Sequence, residues 1–324
     1  MIDELLEKGV FKGYVDAVKT RNGVFLSRFT SKQREYGKTS DGIAIRMSCQ
    51  SGITMDMYTN TRYIEFDFMV CGFTRRYAYF DIRINEDPVS SVVFETISSG
   101  QTYHFQYVIG ESEGRYNHIK VYFPHNVWMV VSNIMLSPGA GIEAVGPRPK
   151  NALFLGDSIT QGMDSTHPAA SYAVALSDML RMDMLNQAIG GAIFDADQLD
   201  PRLGYKADQI IIAYGSNNWV QSTDIYEFKH RCAKYIETVI AYFPGAGVSV
   251  ITPIFRFDHR EVRSAGTLGE LARTIGDVCL KYPKIKLVYG WELVPHDVGL
   301  YKDRIHSNDE GHKAYALNLS GFLK

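Results

Sequence analysis

A chain of 324 residues is long for a single core and suits two domains. Its 45% hydrophobic and 22% charged residues are ordinary for a globular protein, and a formal charge of −2 offers no field to gather nucleic acid or anionic lipid. No apolar stretch approaches a membrane span, and Cys49, Cys71, Cys232 and Cys279 lack paired spacing, so neither a disulfide frame nor a metal site is expected.

The first ten residues are acidic and helical in pattern, with no basic-then-apolar leader, which argues for a cytoplasmic protein. From there to about residue 136 the pattern is short strands and turns, with no further helix. Gly42-Ile-Ala-Ile-Arg-Met, Tyr63 to Val70, Tyr77 to Ile84, Ser91 to Glu95, Tyr103 to Val108, Asn117 to Phe123 and Val127 to Val131 mix β-branched and aromatic residues. Many short strands of this kind predict a β-sandwich, jelly-roll-like, over 1–140.

Ser137 to Lys150 holds three prolines and three glycines and continues neither sheet nor helix. Beyond it strands near 151–155, 183–188, 208–214, 247–254 and 284–290 alternate with helical stretches near 168–181, 225–243, 267–282 and 309–322. That alternation predicts a parallel sheet with helices on both faces over 148–324.

The first of those strands ends in Gly156-Asp157-Ser158, which delivers a serine to the rim where ligands of open α/β sheets gather. A serine hydroxyl becomes a nucleophile only beside a base. Asp303 and His306, three residues apart after the last strand, can supply one: the carboxylate takes Nδ1–H and leaves Nε2 for the serine. Asn217, after the strand near 208–214, can offer a side-chain NH₂ to an oxyanion. Seen alone, Gly190-Gly191 and Ser216-Asn217-Asn218 are plain loop chemistry. A second serine, Ser112, formally fits Gly-x-Ser-x-Gly, but Glu111 and Glu113 flank it and a strand follows, so it reads as a hairpin turn.

Gly156-Asp157-Ser158, Gly190-Gly191, Gly215-Ser216-Asn217 and Asp303-Arg304-Ile305-His306 occur in the order and spacing of the SGNH (GDSL-like) hydrolase superfamily, which the chain resembles from residue 151 to its end. The resemblance implies a three-layer α/β/α, flavodoxin-like domain. It implies Ser158, Asp303 and His306 as the catalytic set, and an oxyanion hole of Ser158 N–H, Gly191 N–H and the Asn217 side chain. By spacing Gly191 fits the second block better than Gly190. Asn218 stands where that pattern commonly has Asp, and Arg304 and Ser307 where Gly and Pro are frequent.

A sandwich ahead of such a domain resembles two-domain carbohydrate esterases, which implies removal of short acyl groups, acetyl first, from a small-molecule or oligosaccharide ester. Asp157, Trp219 and Trp291 are the candidates to touch that substrate, with Tyr214 nearby; core packing explains the aromatic residues equally well. The alternatives are a lysophospholipase-like or general short-chain esterase and a non-catalytic carbohydrate-binding protein. No metal or organic cofactor, nucleic acid or membrane is expected as a partner, and nothing in the sequence sets the oligomeric state.

Overall fold

The computed structural model describes residues 1–110 and 114–323. Strand Tyr63–Phe73 alternates buried and half-buried side chains along its whole length, so Ile64, Phe66, Phe68 and Val70 share one face. Phe66 stacks on Phe105 at 4.3 Å and meets Phe80 edge-on at 5.5 Å. This aromatic centre joins two antiparallel sheets. One runs Phe11–Lys12, Thr54–Thr59, Asn117–Tyr122, Ala78–Ile84, Ser90–Phe94; the other runs Asp16–Thr20, Gly23–Ser27, Val127–Leu136, Tyr63–Phe73, Thr102–Val108. The arrangement is the expected β-sandwich.

Three details of the sequence reading are corrected here. Residues 42–47 are not a strand: they lie in helix Asp41–Ser48, which follows a second helix, Ser31–Gly37. Ile43, Ile45 and Met47 alternate like a strand, but Ile43 and Met47 are also one helical turn apart. The environment chooses the helix, because Phe29 and Met47 are buried with Leu153, Leu185 and Trp219 of the second part rather than in the sandwich. Ser31–Gly37 opens on a capping box, Thr30 with Gln33, a signal legible in the sequence. In the connector, Ile142–Ala144 pairs with Thr59–Met57, so the Pro- and Gly-rich stretch does extend a sheet by three residues. No pair of cysteines is bonded, and Cys71 is half-exposed where the other three are buried.

The second part is a five-stranded parallel sheet in the order Met182–Asn186, Lys150–Gly156, Gln209–Ala213, Gly247–Ile251, Ile285–Val288. Its strands are apolar on both faces. Leu153, Leu155, Ile210 and Ile212 pack with Phe228, Tyr235, Leu271 and Ile275 of helices Ile225–Tyr242 and Leu268–Cys279. Ala152, Phe154 and Ile211 pack on the opposite side with Tyr172, Leu176, Tyr315 and Leu319 of Tyr172–Met179 and Asp309–Leu323. The caps are local: Asp224 accepts from the N–H groups of Tyr226 and Glu227, and Thr267 with Glu270 forms a capping box. With the strand that comes first in the chain lying between the second and third, the order reverses beside Lys150–Gly156, and ligands of open α/β sheets bind at such a switch point. Among the described residues no helix is long and apolar enough to cross a membrane.

Two polar centres tie the parts together. Asp178, on helix Tyr172–Met179, accepts from Lys120 Nζ and Tyr122 Oη at 2.7 Å each and pairs with Arg148 Nη1 at 2.9 Å. Burial raises its pKa, but Lys120 and Arg148 lower it further, so its carboxyl is held at about 2. Arg28, just past strand Gly23–Ser27, is buried and donates to five backbone carbonyls: those of Arg46, Met47 and Cys49 on its own side, and those of Asn186 and Ala188 beyond strand Met182–Asn186. Burial lowers its pKa to about 10.

Candidate active site

The end of strand Lys150–Gly156 turns so tightly that only glycine fits at 156. A Cβ there would stand 2.2 Å from Thr160 Oγ1 and 2.9 Å from the Ala213 carbonyl oxygen. The chain enters the short helix Ser158–Gln161, whose cap Asp157 accepts the Ile159 N–H, and leaves it through Gly162 at φ 103°. Ser158 therefore heads a helical turn at the sheet edge, with a little of its surface open.

His306 reaches that serine from the loop after the last strand. Its Nε2 lies 2.8 Å from Ser158 Oγ and its Nδ1 lies 2.7 Å from Asp303 Oδ2. Asp303 Oδ1 also accepts the N–H groups of Ile305 and His306, so one carboxylate sets both the turn and the ring. Burial raises the Asp303 pKa, but the hydrogen bonds from His306 outweigh it and leave the group below its ordinary value. A carboxylate on Nδ1–H and a hydroxyl on Nε2 is the arrangement that lets an imidazole take a proton from serine.

The donors gather on the other side of Ser158. Gly190 N–H is taken by Gln161 Oε1 at 2.7 Å, whereas Gly191, at φ 83°, and Ser158 have backbone N–H groups with no acceptor among the described residues. Asn217 Nδ2 donates to the Ala192 carbonyl at 3.0 Å and has a second hydrogen to give. If that hydrogen meets the oxyanion, Asn217→Ala will lower kcat roughly 10²–10³-fold with a smaller change in KM. Steady-state kinetics separate the two constants, and a change confined to KM would assign Asn217 to substrate binding.

Other expected residues lie elsewhere. Trp219 cannot stack on a ligand: it is fully buried, donates Nε1–H to the Gly266 carbonyl and has the guanidinium groups of Arg256 and Arg263 over its ring. Tyr214 is likewise buried. Both follow Gln209–Ala213 and turn inward, where the sequence alone left rim and core equal. Asp157 is buried too, its pKa pushed up to about 6 by that burial, and it acts as the helix cap rather than as a substrate contact. Trp291 is half-buried among Phe255, His259 and His296. Ser112 lies outside the described residues. Two other histidines are engaged elsewhere: His296 faces the Trp291 carbonyl, and His312 is buried, accepts the Tyr172 N–H and is lowered to about 4 by burial.

Two of the three departures from the superfamily pattern can be followed locally. Asn218 Oδ1 accepts the Phe194 N–H, a bond a carboxylate could make equally, while its Nδ2 is buried without a partner among the described residues. Arg304 sits at φ 68°, the region that favours glycine, which accounts for glycine being frequent there; its guanidinium lies over the Phe257 ring at 5.4 Å.

Four site residues escaped the sequence reading. Gln161 bridges the Gly190 N–H and the Arg46 carbonyl. Arg46, on helix Asp41–Ser48, lies against the glycine pair: a Cβ on Gly190 would be 3.1 Å from its Cδ, and one on Gly191 would be 3.2 Å from its Nη1. Asp164 carries Oδ2 3.6 Å from His306 Nδ1, and Arg75 holds Asp164. Gln161 and Asp164 sit within a few positions of Ser158, so proximity was a usable signal. Arg46 and Arg75 arrive from the distant first part, and no spacing announces them.

Residues 154–314 match the model of the GDSL-like lipase/acylhydrolase family. No curated protein matches the chain. Among solved structures the chain is similar to a salicylyl-acyltransferase from a tetracycline biosynthetic pathway, at TM-score 0.79 and 14% identity over 95% of this chain and 92% of that one. It is also similar to a putative GDSL-like lipase from Bacteroides ovatus, at TM-score 0.76 and 15% identity over 97% and 95%. An acetyl xylan esterase from the rumen bacterium Butyrivibrio proteoclasticus gives TM-score 0.64 and 12% identity over 96% and 94%. At these identities the likeness is one of fold, and it extends across both parts of the chain.

Proposed function

We propose that this ester hydrolase, whose residues 154–314 match the GDSL-like lipase/acylhydrolase family, removes short acyl groups, acetyl first, from a carbohydrate. The observation that carries the mechanism is the relay from Ser158 Oγ through His306 to Asp303, with contacts of 2.8 and 2.7 Å, at the switch point of the parallel sheet. In this reading Ser158 Oγ attacks the ester carbonyl as its proton passes to His306 Nε2. The carbonyl oxygen becomes negative and is met by the N–H groups of Ser158 and Gly191 and by Asn217 Nδ2. His306 then protonates the departing alcohol, leaving Ser158 acylated, and next takes a proton from the water that releases the acid.

The short acyl group is favoured by Arg46, whose side chain stands over Gly190 and Gly191 and makes that side of the site narrow and polar. The sugar rests on the likeness to the acetyl xylan esterase across both parts of the chain. Turnover of p-nitrophenyl esters tests the acyl preference: the acetate ester should be the better substrate by kcat/KM than the octanoate. Acetate release from acetylated xylo-oligosaccharides tests the sugar. A preference for octanoate would replace this reading with a lipase-like one, and turnover of p-nitrophenyl acetate with none of the acetylated sugars would leave a general short-chain esterase.

A further inference from the structure

The imidazole of His306 faces two carboxylates. Besides Asp303 Oδ2 at 2.7 Å, Nδ1 has Asp164 Oδ2 at 3.6 Å, and the ligand atoms of Asp164, Asp303 and His306 all lie within 4.8 Å of one another. Asp164 is not there by looseness. It is buried, it adopts φ 65°, and its other oxygen is gripped by Arg75 Nε at 2.8 Å and Nη2 at 2.7 Å. A non-glycine residue in the left-handed region carries strain that its surroundings must hold in place. Here the holding group comes from the sandwich: Arg75 lies in the loop between Tyr63–Phe73 and Ala78–Ile84. Asp303, by contrast, is exposed at the surface of its turn, so the carboxylate nearer to Nδ1 is the less protected one.

We propose that Asp164, fixed by Arg75, is a second carboxylate arm for His306: it takes over Nδ1–H when Asp303 lets go, and it steadies the imidazolium that forms when Ser158 gives up its proton. The proposal rests on the hydrolase reading above and deepens it. The proton moves from Ser158 Oγ to Nε2, the Nδ1–H stays on the ring throughout, and neither carboxylate is protonated. Asp164 is thus a positioning residue that acts through His306. Arg75, with two contacts to Asp164 Oδ1, supplies the counter-charge that holds this second carboxylate in place beside Asp303.

The test is a double-mutant cycle with Asp303→Asn and Asp164→Asn, using p-nitrophenyl acetate, with kcat and KM measured separately and the melting temperature of each variant recorded. Asparagine tolerates the left-handed backbone at 164 and keeps the acceptor for the turn at 303. Losing a lone orienting carboxylate costs a triad roughly 10⁴-fold in kcat. With the second arm in place, Asp303→Asn should fall only roughly 10–100-fold, Asp164→Asn a few-fold, and the double variant far below the product of the two, toward the full loss, with KM little changed. The low-field proton resonance of Nδ1–H should persist in Asp303→Asn and vanish only in the double variant. Effects that merely multiply, or a full loss with disappearance of that resonance in Asp303→Asn alone, would overturn the proposal, and the size of the loss and the resonance in Asp303→Asn still decide it if the double variant does not fold. Absence of ester turnover in the unmodified enzyme would be a different failure, that of the hydrolase reading itself.

Discussion

Ser158→Ala is expected to abolish ester turnover, by roughly 10⁶-fold in kcat, while leaving the unfolding transition where it was. In the proposed mechanism the hydroxyl forms the acyl intermediate, and among the described residues the nearby hydroxyls are engaged elsewhere: Thr160 is buried with its hydroxyl against Tyr172, and Ser165 is bonded to Asp309. Its removal deletes one contact, to His306 Nε2, from a turn whose geometry is set by Gly156, Asp157 and Gly162 instead. The measurement is a p-nitrophenyl acetate assay beside a thermal melt. Ser112→Ala serves as the control and should keep full activity; inactivity there with near-normal rates in Ser158→Ala would reverse the assignment of the nucleophile.

The largest effect on stability is expected at Asp178. Asp178→Asn keeps the shape and an acceptor for Tyr122, but it leaves Lys120, whose side chain is 10% exposed, and Arg148, at 22%, without their counter-charge. Breaking a buried pair by removing one partner costs about 3–5 kcal/mol, most of it the penalty of the stranded charge. The pH dependence has a definite sign. The Asp178 carboxyl is held at about 2, below its ordinary 3.8, so the folded state binds this proton less readily than the unfolded chain does. Its contribution is complete above about pH 4 and is lost as the pH falls through 2. Urea unfolding of both forms should therefore show a constant gap from pH 5 to 8 that narrows on acidification. A gap under about 1 kcal/mol, or one that widens in acid, would show that the cluster is loosely solvated.

How far the sequence could be read depended on the range of the interactions involved. The parallel sheet was legible because Leu153 and Leu155 face one helical layer and Ala152 and Phe154 the other, which leaves an apolar run that only a doubly covered strand shows. Ser158 was legible because it follows the end of a strand, and Asp303 and His306 because they lie three residues apart in one turn after the last strand, where local chemistry sets their contact. Residues 42–47 were misread because Ile-Ala-Ile-Arg-Met satisfies two periods at once, and the deciding contact, Met47 in the core of the other part, lies more than a hundred residues away in the chain. Trp219 failed for a related reason: a tryptophan after a strand can point out or in, and the pair of arginines that holds it in is gathered by tertiary packing. The carbonyls that Arg28 serves, and the carboxylate that Arg75 grips, carry no sequence pattern at all.

Arg28 bears on how such a chain can be rearranged by recombination. The Pro- and Gly-rich connector looks like a natural crossover point, since little regular structure runs through it. Yet a crossover there would exchange the guanidinium that serves the Asn186 and Ala188 carbonyls for whatever the incoming half carries at that place. Those carbonyls stand at the end of strand Met182–Asn186 and in the loop that leads from it to Gly190 and Gly191, so an ill-matched newcomer would disturb the oxyanion side of the site without altering a residue of the hydrolase half. The two halves are thus bound to be inherited as a pair, and a graft that moves the catalytic half into another protein has to bring Arg28 and the Asp41–Ser48 helix with it.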